Sequence, residues 1–76
     1  MDIRLTVGEN IKLLRQQRKM TLDDLSLATR MSRTYINDVE HGKSAITVVR
    51  LEKIAKALKV KTNILLIPKV FETVQS

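Results

Sequence analysis

The chain has 76 residues, of which 43% are apolar and 29% charged, a balance typical of one small folded domain and not of a disordered tail. It has no cysteine, a single histidine and only two aromatic residues, Tyr35 and Phe71, which excludes disulfides and thiolate metal sites and disfavours stacking of single-stranded bases. The net charge of +6 predicts attraction to polyanions, although a membrane surface or an acidic protein would also suit it.

The first predicted helix begins at Thr6, where Thr6 and Glu9 form a capping-box pattern. Arg18 and Lys19 supply cations near its carboxyl end, which the helix dipole favours. Its apolar stripe, at i, i+4 and i+7, consists of Val7, Ile11 and Leu14.

The second predicted helix is short and opens at Thr21, with Asp23 and Asp24 in its first turn. Its predicted inner face consists of Leu22, Leu25 and Ala28. Residues 29–31 then lead to the next helix. The position that usually has a left-handed backbone at such a corner is Arg30, and a residue other than glycine there costs about 1 kcal/mol. Either the corner is distorted or the strain is tolerated, with or without a phosphate contact by Arg30, and we favour tolerance without a special role.

The third predicted helix is capped by Ser32 and ends near His41, because Gly42 suits the left-handed position after a helix. At about 100° per residue, five polar side chains fall within an arc of roughly 140°, called here the polar strip. They are Arg33, Asn37, His41, Thr34 and Asp38. Ile36 and Val39 lie on the opposite side, and Glu40 lies at the boundary.

The polar strip has an ordinary interpretation, the solvated face that most amphipathic helices have. Its residue types favour a second one, because Arg, Asn, Asp and Thr are the side chains that contact base edges. Two short helices joined by three residues are also the helix-turn-helix arrangement. These observations together favour a DNA-reading helix.

The fourth predicted helix is capped by Thr47, and the fifth is a short one capped by Thr62 and ended by Pro68. The fourth carries an apolar stripe formed by Val48, Leu51, Ile54, Ala55 and Leu58. Its exposed face is basic and carries Arg50, Lys53, Lys56 and Lys59.

The pattern as a whole predicts an all-α, five-helix bundle in a single domain over 1–76, with a core at 7–67 and a tail at 68–76. Apolar runs reach four residues, as in Ile64–Ile67, whereas a membrane span needs about 20. The amino-terminal residues also lack the apolar segment of a secretion signal. We therefore expect a cytoplasmic protein.

The order and spacing of five segments resemble the Cro/C1-type (XRE-like) helix-turn-helix family of phage repressors and bacterial regulators. These segments are Ile11–Arg15, Met20–Leu25, Met31–Ile36, Val39–Lys43 and Leu51–Val60. The stretch 32–36 also resembles controller proteins of restriction–modification systems. The resemblance implies a lambda-repressor-like fold whose third helix enters the major groove of DNA.

By this resemblance, Arg33, Thr34 and Asp38 face the bases, and Asn37 lies beside them or nearer the backbone. Tyr35 either approaches the DNA backbone or the operator centre, or packs on the second helix as a surface tyrosine. The family also pairs an arginine late in the first helix with a glutamate ending the third. Here these residues are Arg15 and Glu40, expected to form a structural ion pair.

Phosphate contacts are expected from Lys43 and Ser44 and from the start of the fourth helix around Thr47. The family usually has a phosphate-binding glutamine at the start of the second helix, where this chain has Leu22. Binding is therefore expected either to be weaker or to rely more on the nearby cations, which are Arg18, Lys19 and Arg30.

A surplus of apolar residues follows the third helix, and some of them, such as Ile64 and Leu65, serve to close the core. A homodimer interface is predicted from the others, on a palindromic operator with two half-sites. They are Ile46, Val49, Leu66, Ile67, Val70 and Phe71. Phe71 docks either on its own subunit or across the dimer.

The predicted function is transcription regulation by operator binding, most simply repression. The alternative is an interaction module of the same fold that binds a partner helix through residues 66–71 and leaves DNA alone. Catalysis is not expected, because the chain lacks a set of nucleophile, base and oxyanion donors. No cofactor, metal, small-molecule ligand or membrane partner is expected.

Overall fold

The structure is a computed structural model, and it describes residues 2–68. Within this range all regular secondary structure is helical, and there is no strand. Its elements are α1 (Ile3–Gln17), α2 (Leu22–Thr29), α3 (Arg33–Glu40), α4 (Val48–Ala57) and a 3₁₀ helix (Thr62–Leu66). The prediction of five α-helices is therefore wrong in its last member, which has the tighter 3₁₀ hydrogen-bond pattern and no side-chain cap from Lys61.

The first helix begins one turn earlier than predicted, at Ile3 and not after Thr6. The Asp2 carboxylate caps it by accepting the backbone N–H of Arg4 at 3.0 Å, and the Arg4 guanidinium also donates to this carboxylate. These contacts, the side-chain hydrogen bond from Arg4 first, lower the pKa of Asp2. Asp2 is as good a cap as Thr6, so the earlier start allows one more turn of backbone to form its helical hydrogen bonds.

The next three caps are confirmed. Thr21 and Asp24 form a reciprocal capping box, in which the Thr21 N–H donates to the Asp24 carboxylate at 2.8 Å and the Thr21 hydroxyl accepts the Asp24 N–H at 3.0 Å. Ser32 caps α3, and Thr47 caps α4. Gly42, with φ of 70°, follows α3 in the expected left-handed conformation.

The core joins the inner faces of all five elements. It consists of Val7, Ile11, Leu14, Leu25, Ile36, Val39, Leu51, Ile54, Ala55, Leu58 and Leu65. Two inner-face predictions are wrong: Ala28 is exposed, and Val48 is 69% exposed at the start of α4. Thr29 is buried in place of Ala28, and its hydroxyl is satisfied by donating to the Leu25 carbonyl at 2.7 Å.

The first helix is the support on which α3 rests, since α1 packs against both α3 and the 3₁₀ helix. At the crossing, a Cβ on Gly8 would collide with the backbone carbonyl oxygens of Val39 and Glu40, so only glycine permits this close approach. None of the helices in the described residues combines the length and apolar character that crossing a membrane requires.

Candidate nucleic-acid interface

The third helix is anchored on one side and open on the other. Ile36 and Val39 are buried at 0% and 1% exposure and fix the helix to the core. On the opposite side, Arg33 and Thr34 are exposed, while the remaining members of the polar strip are half-buried or exposed. The structure thus brings the four predicted base-reading side chains onto one accessible face, and these are Arg33, Thr34, Asn37 and Asp38.

A buried ion pair holds the carboxyl end of α3 to α1. Arg15 Nε donates to Glu40 Oε2 at 2.7 Å, and Arg15 Nη2 donates to Glu40 Oε1 at 3.1 Å. The Glu40 side chain is 1% exposed and that of Arg15 is 10% exposed. Glu40 lies at the boundary of the polar strip, and the pair fixes the rotation of α3 about its own axis.

The corner between α2 and α3 is pinned by side chains. Arg30 has φ of 59°, the left-handed conformation expected for it. The Ser26 hydroxyl donates to the Met31 carbonyl across this corner at 2.5 Å. A corner fixed in this way sets the angle at which α3 leaves α2.

One end of the polar strip borders an acidic surface. Arg33 Nη1 lies 3.4 Å from Asp23 Oδ1, in an ion pair whose side chains are 65% and 68% exposed. Asp24, the other acidic residue at the start of α2, is exposed beside it. Such an exposed pair contributes little to stability, so Arg33 can leave Asp23 for another partner at small cost.

Tyr35 makes a contact that the sequence did not suggest. Its hydroxyl donates to the Ala45 carbonyl at 3.2 Å, and the Arg50 guanidinium lies over its ring, 5.1 Å from the centroid. The sequence predicts Arg50 only as one of four cations on the exposed face of α4. No sequence signal pairs it with Tyr35, because the pairing depends on how the loop between α3 and α4 folds.

The residues predicted to contact phosphate lie in three places. Lys43 is exposed and Ser44 is half-buried after α3, where the Lys43 N–H donates to the Asp38 carbonyl at 2.9 Å. Thr47 begins α4, and its hydroxyl accepts the Arg50 N–H at 3.2 Å. The others are at helix ends, with Arg18 half-buried, and Lys19 and Arg30 exposed in left-handed conformations.

An apolar surface lies between the amino end of α1, the loop before α4 and the 3₁₀ helix. It contains a groove of about 330 Å³. The groove lining includes Ile3, Val7, Ile46, Val48 and Leu66. Of the predicted interface residues, Val49, Leu66 and Ile67 are 64%, 44% and 37% exposed and Ile46 is half-buried, whereas Val70 and Phe71 lie outside the described residues.

Comparison with known proteins gives a consistent picture. The model of a family described as helix-turn-helix matches residues 11–65. The chain is 35% identical over 66 residues to control protein C.BamHI of Bacillus amyloliquefaciens, a match that covers 86% of this chain and 82% of that protein. It is 34% identical over 59 residues to the immunity repressor protein of Bacillus phage phi105, covering 78% of this chain but only 41% of the repressor.

Solved structures agree with this result. The structure resembles the hypothetical transcription factor NHTF from Neisseria with a TM-score of 0.87 and 28% identity, covering 99% of this chain and 86% of the other. It resembles the wild-type restriction-modification controller protein C.Esp1396I with a TM-score of 0.78 and 29% identity, covering 99% and 91%. The chain therefore belongs to the Cro/C1-type (XRE-like) helix-turn-helix family of DNA-binding transcription regulators.

Proposed function

We propose that this chain is a sequence-specific regulator, most simply a repressor, that binds a palindromic duplex operator as a homodimer. The observation that carries the proposal is the polar strip on α3. It is accessible along its length and is held outward by the buried Ile36 and Val39 and by the Arg15–Glu40 pair. A helix presented in this way fits the major groove, which is about 12 Å wide.

Base reading is assigned to four of the five residues of the polar strip, all except His41. Arg33 suits the two acceptors of guanine, and Thr34 suits the methyl group of thymine. Asp38, one turn further along the same face, accepts from the amino group of cytosine, and Asn37 reads adenine or contacts the adjoining backbone. On binding, Arg33 exchanges its exposed partner Asp23 for a base edge.

Phosphate contacts on either side of the groove hold this helix in register. Lys43 and Ser44 follow α3 directly, and the first turn of α4 at Thr47 offers backbone N–H groups to the next phosphate. Tyr35, Arg30 and Lys19 are the further candidates. Because these contacts neutralise charge, we expect binding to fall steeply as salt rises.

The apolar surface supports the proposed homodimer. Ile46 and Leu66 line the groove of this surface. Val49 and Ile67 are also exposed, and Val49 lines a separate groove together with Val60 and Thr62. We expect a two-fold axis through this surface to present two α3 helices to half-sites about one helical turn apart. Val70 and Phe71, which lie outside the described residues, are proposed to belong to the same interface.

The alternative function is an interaction module that uses this apolar surface and leaves DNA unbound. The exposed Val48, Val49 and Leu66 are compatible with this alternative. Variants of the polar strip are therefore needed to distinguish the two functions. Replacing Arg33 and Thr34 with alanine removes operator binding under the first proposal and changes nothing under the second. The absence of enzymatic activity and the cytoplasmic location stay predictions.

Selection of bound sequences from a random duplex pool tests the proposed function. We expect an enriched palindrome, whose half-site spacing reports the dimer geometry, and loss of one enriched position in the Arg33→Ala variant. A wild-type pool that remains random after repeated selection would contradict sequence-specific binding.

The homodimer is tested separately by the molar mass in solution. Val49→Asp places a charge in the proposed interface and is expected to yield monomers with weakened operator binding. Leu27→Asp is the matched control, because Leu27 is 81% exposed on α2, outside the interface. Equal masses for the wild type and both variants would contradict the assigned interface.

A further inference from the structure

The apolar groove between the amino end of α1, the loop before α4 and the 3₁₀ helix has exposed apolar side chains in its wall. They are Ile3, Val48 and Leu66, at 50%, 69% and 44% exposure. We propose that this groove is the docking site of the chain's own tail, and that Phe71 of the same subunit fills it. Phe71 belongs to the tail beyond Pro68, outside the described residues.

The place where the tail begins favours this occupant. The Asn10 amide donates to the carbonyls of Leu65 and Ile67, at 2.9 Å and 2.8 Å, and thereby holds the start of the tail against α1. Asn10, Val7 and Ile3 follow one another on one face of α1, at spacings of three and four residues. The tail therefore starts beside the wall of the groove that Val7 and Ile3 form.

The groove is within reach of Phe71. An α-helix rises about 1.5 Å per residue, so Val7 and Ile3 lie about 4–11 Å along α1 from the level of Asn10. Phe71 follows Ile67 by four residues, which span at most about 13–14 Å when extended. A tether this short gives an effective concentration in the millimolar range, which favours the tail of the same subunit over that of a free partner.

The groove and the tail also have matching chemistry. Most of the lining is apolar, and Phe71 is the largest apolar side chain of the tail. The charged residue of the lining is Arg4, which gives Nε and Nη2 to Asp2 and keeps Nη1 for a second carboxylate. Glu72 follows Phe71 directly. An apolar side chain followed by an acid suits an apolar groove with a cation in its wall.

Docking of the tail would also complete the surface of the proposed homodimer. With Phe71 in place, the open groove becomes a filled apolar surface, which a two-fold partner can cover without leaving a void. This consequence rests on the proposed function, whereas the docking itself requires one subunit only. A tail exchanged between subunits is the contrasting arrangement, and a monomeric variant distinguishes the two.

The reporter for docking is Phe71→Trp in the full chain, because the sequence has no other tryptophan. It is combined with Val49→Asp and studied at a concentration where the measured molar mass is that of a monomer. We expect blue-shifted emission and protection from acrylamide, both of which are lost in urea. An exposed reporter in the monomer would overturn the inference, and protection that appears only in the dimer would assign the groove to the partner's tail.

The groove side of the contact is tested by Ile3→Glu, with Leu5→Glu as the matched control. Both residues lie in the first turn of α1 at 50% and 54% exposure, but only Ile3 lines the groove. Glutamate suits the positive end of a helix, so both variants should fold. Ile3→Glu should expose the reporter to acrylamide, and Leu5→Glu should leave it protected. Equal protection in the two variants would overturn the assignment of the groove.

Urea denaturation of the monomeric variant gives a second measurement. Phe71→Ala should lower the folding equilibrium constant by about 10- to 100-fold, as expected for the loss of a buried phenylalanine. The same substitution should have little effect beside Ile3→Glu and its full effect beside Leu5→Glu. No effect of Phe71→Ala, or an equal effect in both backgrounds, would overturn the inference. Neither result involves a duplex, so the inference and the proposed function fail separately.

Discussion

Arg15 on α1 and Glu40 at the end of α3 form a bidentate ion pair, with N–O distances of 2.7 Å and 3.1 Å. Arg15 also donates through Nη1 to the Met20 carbonyl at 2.9 Å, so one guanidinium connects α1, the loop after it and the recognition helix. Since both side chains of this pair are buried, it acts on function only through the position of α3.

Removing one partner of this pair should be costly. In Arg15→Leu, the Glu40 carboxylate is left buried without a cation, and we expect a loss of about 3–5 kcal/mol in the free energy of unfolding, measured by urea denaturation. The double variant Arg15→Leu/Glu40→Leu should recover much of this loss, because no isolated charge remains.

Arg33→Ala is the matched control, since it breaks the exposed pair with Asp23 and should cost less than about 1 kcal/mol. A loss in Arg15→Leu no greater than that of this control would show that the pair does not anchor α3.

Asn10 should be the second sensitive position. It is buried on α1, and its amide donates to the carbonyls of Leu65 and Ile67 at 2.9 Å and 2.8 Å, which fixes the end of the 3₁₀ helix. Asn10→Asp has the same shape but cannot donate, and we expect it to cost more than Asn10→Ala. The alanine variant should cost about 1–3 kcal/mol by urea denaturation.

Asn63→Ala, at an exposed position, serves as the control for Asn10 and should be near neutral. If Asn10→Asp were as stable as the wild type, the two hydrogen bonds would have no structural role.

The sequence was most informative where local chemistry decides the outcome. Thr21, Ser32, Thr47 and Gly42 act within one turn of their own helix, and all four were predicted correctly. Local chemistry was ambiguous at the first helix, because Asp2 and Thr6 are comparable caps and Ile3, 50% exposed, adds nothing to an apolar stripe.

Long-range contacts could not be predicted. Asn10 is a single polar residue whose partners are backbone carbonyls more than fifty residues away, and Arg50 meets Tyr35 only through the loop that precedes α4. Val48 fits the apolar period of α4, but it lies in the first turn, beyond the reach of the core. A helical segment of only five residues is also too short for its sequence pattern to distinguish a 3₁₀ helix from an α-helix.

Three residues other than glycine have left-handed backbones: Lys19, Arg30 and Lys59. Replacing Arg30 or Lys59 with glycine removes a steric cost of about 1–2 kcal/mol, partly offset by the greater entropy of glycine in the unfolded chain. We therefore expect a small rise in melting temperature for both variants, whereas only Arg30→Gly should weaken binding to a duplex. A lower melting temperature in both would contradict the strain assigned to these positions.

The most direct measurement compares the wild type with Arg33→Ala on duplexes that differ from the selected operator by single base pairs. For the wild type, one position in each half-site should show a preference of about 1–3 kcal/mol that Arg33→Ala abolishes, while the preferences at the other positions remain. Equal weakening of Arg33→Ala on every duplex, scrambled ones included, would contradict base reading by the polar strip.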